Sequence, residues 1–251
     1  MKQAGLQWIR TVLINRTKRY LTRFWPFQSV SDHHFIILCR PRTGSTLLHT
    51  SLNSHPAIFS YGELLRKNLE KGITNSIEQH LFKKHPPSIK AVGLKVFYDY
   101  LDSPEYRKFV FELSERPEVK VLHLKRRNAL DEFISLEKAK KRNIWSSTDG
   151  NSLSPVESIN PDPDEFRRFL ALRAFLSRRA EYIFQGHPVL EVYYEDLIGD
   201  SRSTLMQIQQ FLGVKRRNLF SLLTKMGDPL HRDIANYKAL KEIYESFPPS
   251  E

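Results

Sequence analysis

The stretch FIILCRPRTGSTLL, Phe35 to Leu48, decides the fold. Five apolar residues, Phe35 to Cys39, read as a buried strand that ends in a sharp turn at Pro41 and Gly44. A helix with apolar periodicity starts near Ser45. A strand that feeds a glycine-containing loop and then a helix N-terminus makes an anion cradle. Backbone N–H groups point into the loop, and the helix dipole favours negative charge there. Thr43, Ser45 and Thr46 add hydroxyls, and Arg42 adds a full positive charge.

This loop departs from the usual nucleotide-binding pattern. That pattern puts Lys directly after the second Gly, followed by a Ser or Thr for magnesium. Here Ser45 stands at the Lys position, and the cation, Arg42, comes two residues before Gly44. The departure argues against an ordinary ATPase or kinase. RPRTGSTLL resembles the 5′-phosphosulfate loop of sulfotransferases, which use the sulfate donor PAPS (3′-phosphoadenosine 5′-phosphosulfate). The resemblance implies that Arg42, Thr43, Gly44, Ser45, Thr46 and Leu47 hold the donor. Taken alone, the same residues also suit a plain strand–turn–helix with a surface Arg.

Bulk properties agree with one large domain or a domain with a small appendage. The chain has 251 residues, 40% of them hydrophobic, enough for a full core. Lys and Arg number 39 against 28 Asp and Glu, a net charge of +11. Six basic residues (Lys2, Arg10, Arg16, Lys18, Arg19, Arg23) precede the first acid, Asp32, so about half of the excess lies in an N-terminal arm. The remainder suits an enzyme that holds a polyanion. The single cysteine, Cys39, rules out an internal disulfide and reads as core packing. The nine histidines show no ligand-like spacing, so no metal is expected. His33 and His34 read as part of a solvated turn.

No apolar run reaches the roughly 20 residues that span a bilayer, and the first residues lack a signal-peptide pattern. A cytoplasmic chain is expected. Leu6, Ile9, Leu13, Tyr20 and Phe24 fall at helical spacing among basic residues. Residues 1–24 therefore form either a helix on the inner membrane surface or a helix packed on its own domain. The expected division is a basic arm over residues 1–30 and a catalytic domain over residues 31–251.

Candidate strands are Phe35–Cys39, Val92–Phe97, Val119–Leu124 and Val189–Tyr193, each short and apolar, as in a parallel sheet covered on both faces. Helical patterns cover Ser45–Asn53, Leu64–Lys71, Pro104–Arg116, Ala129–Arg142, Asp164–Gln185, Ser201–Leu212, Arg216–Lys225 and Tyr237–Glu245. The alternation predicts an α/β fold: a P-loop three-layer α/β/α sandwich around a central, mainly parallel sheet. Ser146–Asp164, rich in Ser, Pro, Asp and Asn, reads as a loop or lid.

Ligands of such sheets sit beyond the carboxyl ends of the strands. Polar residues gather there: Arg40 and Arg42, Lys95, the run Arg126–Arg127–Asn128, and Tyr194–Glu195–Asp196. Within VLHLKRRNALDEFISLEKAKK (Val121 to Lys141), Arg127 ends a strand and Ser135 follows eight residues later on a helix. The pair is similar to the 3′-phosphate site of sulfotransferases, which implies a grip on the phosphate that separates PAPS from ATP. LNSHPAIFSYGELL (Leu52 to Leu65) carries a His-Pro element and then Gly62-Glu63. It resembles bacterial carbohydrate and tyrosylprotein sulfotransferases, where a Glu after such an element is the general base. By position alone Glu63 is a carboxylate at a helix start, favoured by the dipole. HPVLEVYYEDLIGD (His187 to Asp200) resembles a late sulfotransferase segment and makes Tyr194 a donor contact. RDIANYKAL (Arg232 to Leu240) looks like the loop that closes over the donor nucleotide in relatives. Trp145 matches a Trp of nodulation-type and glycolipid sulfotransferases. It either stacks on a sugar or anchors the lid.

The resemblance covers residues 34 to 245 and is closest to the bacterial carbohydrate, nodulation-type branch. It implies metal-independent transfer from PAPS to a sugar or glycolipid hydroxyl, with PAP (3′-phosphoadenosine 5′-phosphate) as product. Arg42 and Glu63 would be catalytic, and Lys95 and Trp145 would meet the acceptor. No nucleic-acid partner is expected, because no RNA or DNA module is recognisable. The competing readings are a non-catalytic phosphate, nucleic-acid or membrane-surface binder, and an atypical nucleotide kinase.

Overall fold

Strand β1 (His33–Cys39) is buried on both faces and has parallel neighbours on both sides, β3 (Ala91–Phe97) and β4 (Lys120–Lys125). Two more parallel strands, β2 (Ile58–Ser60) and β5 (Val189–Tyr193), complete a sheet of order β2-β3-β1-β4-β5. The computed structural model describes residues 17, 18, 20, 26–72, 76–142, 158–221 and 233–247. Among them no helix is long and apolar enough to cross a membrane.

Alternation along β1 separates the two faces, because successive strand side chains point opposite ways. Phe35, Ile37 and Cys39 pack against α1 (Ser45–Asn53) and the late helices through Leu48, Leu52, Leu205 and Ile208. Ile36 and Leu38 face the other way, towards Phe109, Leu113, Leu176 and Phe184. Those residues belong to α4 (Arg107–Ser114) and to α6 (Pro163–Ile183) with its end. Helices on both faces give the three-layer α/β/α sandwich. Before α4, short helices α2 (Leu64–Leu69) and α3 (Ile77–His80) follow β2. After β4 comes α5 (Ala129–Arg142), and after β5 come α7 (Tyr194–Gly199) and α8 (Ser201–Phe211). The last helix, α9 (Tyr237–Ser246), seals a third apolar cluster with α5 and α6 through Phe133, Phe166, Phe169 and Leu240. That cluster lies beside the loops at the carboxyl ends of the strands.

Three local expectations change. His33 and His34 are strand residues, not turn residues. His34 is 6% exposed and lies 4.2 Å from the Phe82 ring, and burial drops its imidazole to about 4. β2 is an extra strand, three residues long. Residues 216–221 are not helical: the Gln209 side chain bonds both the N–H (2.7 Å) and the carbonyl (3.0 Å) of Arg217, and the Phe220 N–H donates to Ser54 Oγ. These bonds to other elements take the place of an i→i−4 ladder. Trp145, Arg232, most of Ser146–Asp164 and most of residues 1–24 lie outside the described residues. Cys39 is a core residue, its thiol pushed up to about 12 by burial.

Candidate active site

The loop after β1 turns into α1 by two left-handed residues. Arg42 has φ 69°, the only positive φ outside glycine among the described residues, and Gly44 has φ 87°. Gly44 is required twice over. Its backbone favours glycine, and a Cβ there would come within 2.5 Å of the Tyr194 ring. The Thr43 hydroxyl donates to the Arg40 carbonyl at 2.8 Å and closes the loop. No side chain caps the N-terminus of α1, so its first amides face the loop.

Lys95 sits in register with Ile37, so it leaves β3 on the face that carries Cys39 and α1. Its side chain is 3% exposed. The ammonium donates to Thr46 Oγ1 at 3.0 Å and lies 3.5 Å from a carboxylate oxygen of Glu63. Burial lowers the Lys95 pKa, and the neighbouring Glu63 charge works against that.

Glu63 reaches this position through the chain that follows β2. The Asn53 side chain brackets Ser60 with two bonds, donating to its carbonyl and accepting from its N–H. Gly62 then turns with φ 68° and offers its carbonyl to the Lys95 N–H. Arg66, one turn into α2, pairs with Glu63 at 2.8 Å. The His-Pro element itself is structural: His55 accepts from Ala57 N–H and bonds the Lys215 carbonyl.

On the other side of the loop stands a group of arginines. Arg42 Nε donates to Ser135 Oγ at 3.0 Å. Arg126, 6% exposed, donates to the Arg42 carbonyl at 3.3 Å, meets Asp131 at 3.4 Å, and lies 4.7 Å above the Tyr194 ring. Burial and the nearby Arg126 charge lower the Arg42 pKa. Behind them Glu132, 1% exposed, takes Arg40 at 3.0 Å and Arg173 at 3.2 Å. Burial raises its carboxyl above the usual value, while the two guanidiniums pull it back. Arg40 Nη1 and Arg126 Nε are buried without a protein partner.

The residues singled out by sequence therefore divide. Arg42, Thr43, Gly44, Ser45, Thr46, Leu47, Glu63, Lys95, Ser135 and Tyr194 surround one loop. Arg127 does not meet Ser135 in this structure. Its guanidinium is half exposed, forks onto Asp196 at 2.7 and 2.9 Å, and lies 4.0 Å over the Tyr193 ring. Arg126 and the Glu132–Arg173 pair lacked a sequence signal beyond Arg126's place at a strand end. Elsewhere, His123, Glu181 and Glu191 offer ligand atoms within 4.8 Å of one another, but both carboxylates already pair with the Lys125 ammonium.

A parallel sheet, a glycine-turned loop into an uncapped helix, and four arginines beside it define a P-loop-type α/β protein with a strongly cationic loop. Residues 32–226 match the sulfotransferase domain family, and the chain belongs to that family. Its reaction class is sulfuryl transfer. Among curated proteins it is similar to nodulation protein H of Rhizobium meliloti (strain 1021), 25% identical over 85% of this chain and 92% of that protein. It is also similar to nodulation protein H of Rhizobium tropici, 26% identical over 87% and 92%. The sulfotransferase of Alicyclobacillus acidocaldarius shares the fold, with a TM-score of 0.57 at 16% identity over 88% of this chain and 93% of that one.

Proposed function

We propose that this sulfotransferase takes PAPS as its donor and a sugar or glycolipid hydroxyl as its acceptor, with Glu63 as general base and Arg42 as the cation at the leaving phosphate. One observation carries the reading: Glu63, Lys95 and Thr46 form a continuous chain from a carboxylate to the first turn of α1. A base and an anion loop joined by a buried cation form one unit suited to in-line transfer. A buried guanidinium nitrogen of Arg40 without a protein partner, beside the loop, fits a donor with several negative charges.

When bound, the donor supplies the sulfuryl group and a phosphate leaving group. The α1 amides, with Ser45 and Thr46, would hold its 5′ end. Arg42 would sit against the oxygens where charge builds, and such preorganised charge contributes on the order of 10²–10³ in rate. The carboxylate of Glu63 would take the acceptor proton as the new S–O bond forms, because a neutral hydroxyl is a weak nucleophile. Lys95 would fix the carboxylate relative to the loop. The sugar preference rests on the nodulation-type resemblance.

The test of the donor is a comparison of PAP with ADP by calorimetry. PAP is expected to bind at least about tenfold more tightly, ~1.4 kcal/mol. Equal affinities would sink the donor assignment.

A further inference from the structure

Resting on that reading of the loop, we infer that Arg126 is a positioning residue: it holds the strained Arg42 backbone, and through it the Arg42 side chain, in the geometry that meets the donor. A non-glycine residue in the left-handed region persists only where its surroundings over-determine it. At Arg42 three contacts do so. Arg126 Nη1 bonds its carbonyl, Ser135 takes its side chain, and the Thr43 hydroxyl ties the next residue back to Arg40.

Arg126 is itself held by its neighbours. Its guanidinium is stacked on Tyr194 and paired with Asp131. Its carbonyl accepts from Arg173 Nη2 at 2.5 Å. Arg173 is fixed by Glu132, Glu132 fixes Arg40, and the Arg40 carbonyl accepts from Thr43. The contacts close into a ring that runs from the loop to the end of β4, across α5 and α6, and back to the loop. Tyr194 joins the ring to Gly44 by direct packing. Arg126 is the member that touches both left-handed positions, Arg42 directly and Gly44 through the Tyr194 ring. Arg127, next in sequence, reaches neither.

The proposal is tested first without donor, by hydrogen exchange on the full chain. In Arg126→Ala the Leu48 amide, which donates to the Gly44 carbonyl at 3.0 Å, should exchange at least about tenfold faster, since the strain held in the loop is of that order. The amides of β1 and β4 should keep their protection. Unchanged exchange at Leu48 overturns the proposal. The second test is a double-mutant cycle read as PAP affinity. Arg126→Ala should weaken PAP about tenfold or more in the wild type, but less than about twofold in an Arg42→Ala background. Equal costs in both backgrounds would mean that Arg126 acts on the donor directly, which also overturns the proposal. If Arg126→Ala does not fold, Arg126→Met keeps the volume without a donor and should behave the same way. Arg126→Lys, which can still donate to the Arg42 carbonyl, should recover much of the affinity. A wild type that prefers PAP no more than ADP would sink the donor reading alone, because the exchange experiment decides the positioning claim without it.

Discussion

Arg127 and Asp196 form a two-pronged pair, 69 residues apart in sequence, with the two terminal guanidinium nitrogens, Nη1 and Nη2, donating to one carboxylate at 2.7 and 2.9 Å. The Arg127 N–H donates to Glu195, so the strand end and α7 are joined by backbone as well as side chain. If Arg127 grips the donor's second phosphate, as the sulfotransferase resemblance implies, that phosphate competes with Asp196. An exposed pair is a weak competitor. Asp196→Asn should therefore tighten PAP by a few-fold and leave ADP unchanged. Arg127→Ala should erase most of the preference for PAP. Calorimetric titrations of both nucleotides into the three proteins decide it. A PAP preference that survives Arg127→Ala would assign the second phosphate to other residues.

Glu63→Gln separates chemistry from binding. The amide keeps the shape and the neighbourhood of Lys95 but accepts no proton. Turnover with a known acceptor should fall by on the order of 10²–10⁴, while PAP affinity changes little. Lys95→Met should behave differently and lower both, because Lys95 also supports Thr46 in the first turn of α1. Turnover of Glu63→Gln within a few-fold of wild type, on a folded protein, would show that another group is the base.

Much of this was legible in the chain, for physical reasons that differ by element. The four long strands are apolar runs that no other context explains, and their ends came within a residue or two. β2 is three residues long, too short for any periodicity to appear. Residues 216–221 read as the start of a helix, yet one buried side chain, Gln209, pairs with the Arg217 backbone and the segment is not helical. A side chain that replaces a backbone ladder has no local signature. In the site, Arg42, Glu63, Lys95 and Ser135 were readable because charge and hydroxyls stand at strand ends and helix starts. Arg126's place at a strand end was readable too, but its contact was not, because it is a bond to a backbone carbonyl 84 residues away. The Arg127–Ser135 interval was readable, but the pull of Asp196 on Arg127 was not, since that carboxylate arrives from α7, 69 residues along the chain.

Gly44→Ala tests the loop's geometry. The added Cβ meets Tyr194 Cδ2 at 2.5 Å, and φ 87° strains any side chain. Left-handed strain alone costs about 1–2 kcal/mol. In wild type, Gly44→Ala should lower the melting temperature and PAP affinity together. In a Tyr194→Ala background the clash disappears and only the backbone strain remains, so the same substitution should cost less. Equal costs in the two backgrounds would show that Tyr194 moves aside freely and does not brace the loop.

Lys18 tests how the basic arm is fastened. Its side chain is buried, 4% exposed, and donates to the carbonyls of Asn53 (2.8 Å) and Ile58 (2.6 Å) at the junction of α1 and β2. We propose that this contact ties the arm to the catalytic domain. Burial lowers the Lys18 pKa from 10.5 to about 7. The sign follows from proton counting. Between about pH 7 and 10.5 the unfolded chain holds a proton that the folded chain has released, so this residue's contribution to stability rises with pH across that window. Below about pH 7 both states hold the proton and the cost is constant. The slope approaches about 1.4 kcal/mol per pH unit at most. The buried Cys39 thiol works in the opposite direction at the alkaline end, because its pKa is raised. The measurement is therefore the difference between wild type and Lys18→Met in urea unfolding at several pH values from 7.5 to 9.5. Wild type should gain on the variant as pH rises. A difference that does not change with pH would show that Lys18 keeps its proton on folding, its charge carried by the two carbonyls.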